Sequence, residues 1–427
     1  MTTVVDHPDT GFRALARNHD FTVLWIGQTI SELGSRVSTF VFPLVAFAMT
    51  GSALWAAAAE AAYLLGMAGA LLPAGVLADR LHRGRVMRTS SAVGVVVYAS
   101  LALTAAVGAL TLPHLLAAAL LTGIGAGLFS PSEMSAIRTV VADEQLPTAL
   151  SQNQARQHVA ALVGAPLGGA LYGVTRWLPF AADAVSYAVA WVLLGRIRAD
   201  LSPMPATVST TEPRRRLTAD LRTGLRFTWA RPFFRVLLIW SPLTNLAVNA
   251  LFFVAVLRLI EGGTDPLHIG LVETAAGVFG ILGALVAPRL IEALPTGRLT
   301  VLIAWSFVPL AVPMALWNTP VVIAAALAFG LFLNPAGNAG VSSYRMAVTP
   351  PELIGRVQSA MQFVSMASMP LAPLLAGVLL DVLGGRDAML VLGGLSAAVA
   401  LIPTLSRSVR SVPKPATWRV ETRLMAR

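Results

Sequence analysis

Apolar residues fall in long blocks separated by short polar or basic connectors. A helix needs about 20 mainly apolar residues to cross the hydrocarbon of a bilayer. That length predicts about twelve spans, over 21–49, 53–77, 86–110, 114–129, 155–174, 178–194, 233–257, 269–290, 300–316, 320–333, 357–380 and 388–405. Several turns are very short, such as Thr50-Gly51-Ser52 and Asn318-Thr319-Pro320. An even number of spans brings both termini to one side. The connector 196–235 stands apart: it is polar, carries Pro203, Pro205, Pro213 and the triplet Arg214-Arg215-Arg216, and splits the spans six and six. Within it 217–229 reads as an amphipathic helix lying on the inner leaflet.

The fold class predicted is an all-α membrane protein, twelve transmembrane helices in two pseudo-symmetric six-helix bundles. Its expected parts are an N-terminal bundle over 1–197, a cytoplasmic linker over 198–230, and a C-terminal bundle with a basic tail over 231–427. Repeated spacing supports the division. Ala165-Pro166-Leu167 recurs as Ala372-Pro373-Leu374, and Arg138 has Arg345 at the same distance, 207 positions on. Nearer the start of each half the distance is 213, which relates Arg85 to Arg298 and Glu60 to Glu273. Parallel six-span repeats imply a pseudo-twofold axis along the membrane normal.

Composition agrees. Charged residues make up 12% of the 427 residues and hydrophobic ones 56%, whereas soluble domains carry about 25% charged residues. The net charge of +10 does not mark a nucleic-acid binder. The basic residues fall in connectors, as the positive-inside rule requires, and form no continuous basic face with aromatics. Their side is the cytoplasmic one, so both termini are expected there, in the bacterial inner membrane. No secretory signal peptide is visible. There is no cysteine, which excludes disulfides and thiolate chemistry. No phosphate-binding Gly-x-x-x-x-Gly-Lys loop and no metal-ligand spacing of histidines occur. No enzyme activity, cofactor or metal is expected.

Four stretches carry a resemblance. Asn18-His19-Asp20-Phe21 with Leu24-Trp25-Ile26-Gly27-Gln28 opens the first span, and Gly75-Val-Leu-Ala-Asp79-Arg80-Leu-His82-Arg83-Gly84-Arg85 follows the second. Phe129-Ser130-Pro131 ends the fourth, and Glu352-Leu353-Ile354-Gly355-Arg356-Val357 opens the eleventh. Together they resemble the major facilitator superfamily, and within it the subgroup of the enterobactin exporter and macrolide efflux proteins. His82 stands where that loop usually has glycine. The fifth-span run Gly164-Ala165-Pro166-Leu167-Gly168-Gly169 has Ala before Pro and a single residue before the Gly pair, which weakens the export direction such a motif implies. The resemblance implies that Asp79 lies against the cytoplasmic start of the eleventh span, near 355–358, and holds that side shut. A helix start carries about half a positive charge. Arg80, Arg83 and Arg85 would add bonds to this cytoplasmic gate, besides setting topology.

Ionisable residues deep in a span are expensive and must face protein or a wet cavity. Glu32 is ~16 Å into the first span at 1.5 Å per residue, and Arg36 lies on its face, four residues on. The offset of 213 places Asn245 and Asn249 at the matching positions of the seventh span. With Gln28, these residues form the candidate substrate and proton site; Ser31 adds a hydroxyl nearby. A structural salt bridge is the competing reading of Glu32 and Arg36. Glu60 and Glu273, early in spans two and eight, are interface residues or an outer gate. Asp183 reads as structural. Arg156 and His158, near the cytoplasmic start of span five, read as interfacial. Pro43, Pro166, Pro242, Pro309, Pro335 and Pro373 are expected to interrupt spans.

The function this supports is a secondary active transporter, a proton-coupled exporter of a drug, siderophore or other amphipathic metabolite. Its expected partners are a small-molecule substrate, protons and the lipid bilayer, and it is expected to be a monomer. Two alternatives are a proton-linked importer of a small polar metabolite and a non-transporting membrane scaffold or sensor.

Overall fold

The computed structural model describes residues 12–80, 82–202, 217–350 and 353–418, with side chains at all of these except 12–14, 71–80 and 217–221. The described residues form helices and connectors, without strands. In the first half the long helices are α1 (His19–Thr50), α2 (Ala53–Arg80), α3 (Arg83–Ala106), α4 (Leu112–Val140), α5 (Leu146–Val174) and α6 (Leu178–Leu194). α7 (Leu217–Ala230) belongs to the central connector. The second half has α8 (Pro232–Glu261), α9 (Pro266–Ala293), α10 (Thr296–Trp305), α11 (Ala311–Leu316), α12 (Pro320–Phe332), α13 (Asn334–Val348), α14 (Ile354–Ala367), α15 (Leu371–Leu383) and α16 (Gly385–Leu405).

Chain composition explains why these segments are helical. Ala and Leu dominate, both strong helix formers. Proline occupies the first turn of α4, α5, α6, α8, α12 and α13, where its missing N–H costs nothing. Among the described residues, nine helical stretches are long and apolar enough to cross a membrane, and the shorter α6 is also apolar.

Several boundaries differ from the sequence expectation; α5, for one, begins at Leu146 and not at 155. α4 runs on past residue 129 to Val140, with Pro131 inside it. The ninth span is broken: α10 ends at Trp305 and α11 begins at Ala311. Pro309 has no amide hydrogen to continue the helix, and the gap is closed by tight turns such as Val308 N to Trp305 O at 3.2 Å. Prolines 43, 166 and 242 do not interrupt their helices. The eleventh span breaks instead at 368–370, before Pro373.

The chain divides into two compact units. The first holds Met1–Thr50, Ala62–Thr207 and Asp265–Gly270; the second holds Gly51–Ala61, Val208–Thr264 and Leu271–Arg427. Inside each, the same packing scheme recurs. α1 packs on α5 and α6, and α3 on α4 and α6. Correspondingly, α8 packs on α15 and α16, and α10 on α13 and α16. The repeat read from the residue spacing is therefore a repeat of helix packing.

Each unit also takes up a short piece of the other sequence half, and the repeat distance of 213 carries positions 52–57 of one piece onto 265–270 of the other. In the second unit, Gly377 of α15 sits against Ala53, Leu54 and Ala57, and Ser52 Oγ donates to Asp381 Oδ2 at 3.1 Å. In the first unit, Gly169 of α5 faces the carbonyl of Pro266, and Gly270 faces that of Ala165. A Cβ at Gly169 would lie 2.3 Å from Pro266 O, so glycine is what permits the approach.

α7 packs on α14, with Gly224 against the carbonyl of Arg356. The chain beyond α16 docks on the start of α10: Gly297 N donates to Val412 O at 3.1 Å, and Trp418 meets Tyr344 edge-on.

Candidate functional site

In the first unit, Arg36 Nε donates to Glu32 Oε1 at 3.0 Å, and Arg36 Nη2 lies 3.0 Å from the same oxygen. The spacing of four along α1 puts the two side chains one turn apart. The Arg36 side chain is 48% exposed and that of Glu32 27%. Gly164 of α5 lies against Arg36, where a Cβ would come within 2.3 Å of the Arg36 Cβ. Gln28 and Ser31 are buried one turn earlier. Glu32 is within electrostatic reach of Glu133 on α4 and Asp183 on α6.

Asp183 is wholly buried, and its Oδ1 accepts from Ser186 Oγ at 2.8 Å. Gly34 makes room for both: a Cβ there would be 2.3 Å from each oxygen. Tyr187 Oη and Ser35 Oγ are 3.0 Å apart, joining α6 to α1.

Arg156 corrects the sequence reading. It is not interfacial: its side chain is 2% exposed and its Nη2 reaches Glu133 Oε1 at 2.7 Å and Asn153 Oδ1 at 2.6 Å. Its Nε and Nη1 are buried and find no acceptor among the described residues. Desolvation of a buried pair can cost as much as its attraction returns, so the Glu133–Arg156 pair is weak evidence of stabilisation. Sequence reasoning missed Glu133 because it placed the end of span four at 129. The signal was there in α5, where Gln152, Asn153 and Arg156 recur at helical spacing on one buried face. His158 is exposed.

In the second unit, Asn245 Nδ2 donates to Ser365 Oγ at 2.6 Å, and Asn249 Nδ2 to the Asn245 carbonyl at 2.7 Å. Asn249 thus bonds back to the α8 backbone, whereas Asn245 reaches Ser365 of α14, a partner that the sequence did not reveal. Ser241 Oγ lies 3.4 Å from the same hydroxyl.

The other expected residues are placed as follows. Arg83 Nη1 donates to Thr139 Oγ1 at 3.1 Å, and its backbone N–H to Leu201 O at 3.1 Å, so it ties the α2–α3 connector to the end of α4. Arg85 is exposed. The side chains of Asp79 and Arg80, and residue 352 of the eleventh-span motif, lie outside the described residues. Glu60 and Glu273 are both half-buried. Among the described residues no cluster of His, Asp or Glu could hold a metal ion.

Known proteins with this geometry place the chain. Residues 10–349 match a family described as transmembrane secretion effector, a branch of the major facilitators. Over 377 residues the chain is 26% identical to the multidrug efflux pump Tap of Mycolicibacterium fortuitum, covering 84% of this chain and 88% of that one. Among solved structures, a mutant of the nucleoside transporter NupG superposes with a TM-score of 0.75 at 12% identity, covering 90% of this chain and 98% of NupG. A bacterial homologue of the human lysosomal transporter Spinster gives 0.71 at 15% identity, covering 93% and 98%. Those structural likenesses concern the fold. The extent of the family match and the recurring helix packing lead to one conclusion: this chain belongs to the transmembrane secretion effector family of the major facilitator superfamily, and is a multi-pass membrane transporter and not an enzyme.

Proposed function

We propose that the protein exports amphipathic small molecules from the bacterial cytoplasm across the inner membrane by alternating access, in exchange for protons. The observation that carries this reading is the Glu32–Arg36 ion pair midway along α1, a helix of 32 residues. A pair of charges at that depth is costly to keep and has a use if it can open. Breaking and remaking the pair between states lets Glu32 bind and release a proton. A proton moving inward through 100 mV releases about 2.3 kcal/mol, enough to drive cargo the other way. On the other unit, Asn245 and Asn249 offer amides to neutral polar groups of the cargo.

The charged run with Asp79, Arg80, Arg83 and Arg85 is the proposed cytoplasmic gate, and Glu60 and Glu273 a proposed outer one. The likeness to a multidrug efflux pump supports the outward direction and an amphipathic cargo. Everted membrane vesicles test the reading. Adding a substrate drug to respiring vesicles that contain the protein is expected to discharge their pH gradient, while vesicles without it are unaffected. Substrate leaving the vesicle lumen together with protons would establish an importer instead.

A further inference from the structure

Besides the groups used above, the second unit holds an open cavity of about 310 Å³. Its walls come from α8, α10, α13 and α14, and its polar lining sets one cation, Arg345, among neutral hydroxyls and amides. Arg345 lines it. Its guanidinium donates to Ser342 Oγ at 3.3 Å and to Gln358 Oε1, both neutral acceptors. Among the described residues no carboxylate forms an ion pair with Arg345. Trp240, Leu237, Met361 and Met366 supply aromatic, apolar and polarisable wall. The cavity also reaches Asn245, because Ser365, which accepts from it, is one of the lining residues.

We infer that this cavity is a binding subsite for an organic anion, with a carboxylate or similar oxyanion head on Arg345 and an apolar body against Leu237, Trp240 and Met361. A cation with only neutral partners lacks the bidentate anion that guanidinium geometry favours. The volume falls at the lower end of the range for small-molecule sites, which suits a compact cargo. The offset of 207 gives Arg138 as the counterpart of Arg345, so neither half holds an acid at this position. Only the assignment of the anion as cargo rests on the exporter reading; binding itself does not depend on the direction of transport.

The test uses purified, delipidated full-length protein and two probes of the same shape, naphthalene-2-carboxylate and naphthalene-2-carboxamide, which differ in charge and in one acceptor exchanged for a donor, titrated calorimetrically without any gradient. The carboxylate is expected to bind at least about tenfold more tightly than the amide. Arg345→Gln is expected to erase that preference while amide binding persists, and Arg345→Lys to retain part of it. A preference unchanged in Arg345→Gln, or no binding of either probe by protein that still transports, overturns the site. Displacement of the carboxylate by phosphatidylglycerol but not by phosphatidylcholine would assign the head to a lipid and overturn the cargo assignment. Failure of proton exchange in vesicles with the carboxylate preference intact would leave the subsite standing and sink the exporter reading alone.

Discussion

Arg156 Nη2 lies 2.7 Å from Glu133 Oε1, and both side chains are enclosed where α4 meets α5. Removing one partner of such a pair leaves a buried charge and costs about 3–5 kcal/mol. Glu133→Leu is therefore expected to lower the thermal unfolding temperature of detergent-purified protein by several degrees or to abolish its accumulation. The double change Glu133→Leu with Arg156→Met is expected to recover most of that loss, since an apolar pair of similar volume is often as stable. A double variant no better than the single one would show that the ion pair is itself stabilising.

Close helix contact predicts a second effect. A Cβ on Gly123 of α4 would stand 2.1 Å from the carbonyl of Tyr63 on α2, whereas a Cβ on Gly125 meets nothing within 4 Å. Backbone cannot move aside as a side chain can, and overpacking costs about 1–3 kcal/mol. Gly123→Ala should lower the unfolding temperature, and Gly125→Ala should leave it within error of the parent.

Asp79 is the acid of the run 75–85. Asp79→Asn keeps its shape and removes its charge. The variant is expected to reach the membrane in normal amount and to transport about tenfold more slowly, the effect of losing ~1.4 kcal/mol of charge stabilisation. Full transport at matched abundance would remove Asp79 from the gate.

Much of this molecule was legible in the residue order. Apolar run length located the helices, and rare residues at constant distances exposed a repeat that reappears as matched packing of α1 with α6 and α8 with α16. The Glu32–Arg36 pair followed from helical spacing alone. What escaped had identifiable causes. Ser130-Pro131-Ser132-Glu133 looks like a turn, but proline is tolerated inside a membrane helix when its neighbours satisfy the freed groups, and α4 runs through Pro131 to Val140. Helix α4 therefore carries Glu133 inward to Arg156. The partner of Asn245 is Ser365, 120 positions away, and no local pattern announces a contact of that range. Arg345 stood out only as a repeat marker, since nothing in its own stretch shows that its partners are neutral.

The central claim is that Glu32 carries the proton, and one measurement addresses it most directly. Wild-type protein and Glu32→Gln, reconstituted into proteoliposomes at equal density, are compared for drug accumulation driven by an imposed pH gradient and for drug exchange at equal pH. Glu32→Gln should retain exchange and lose gradient-driven accumulation. Accumulation at the wild-type rate in Glu32→Gln would contradict the account.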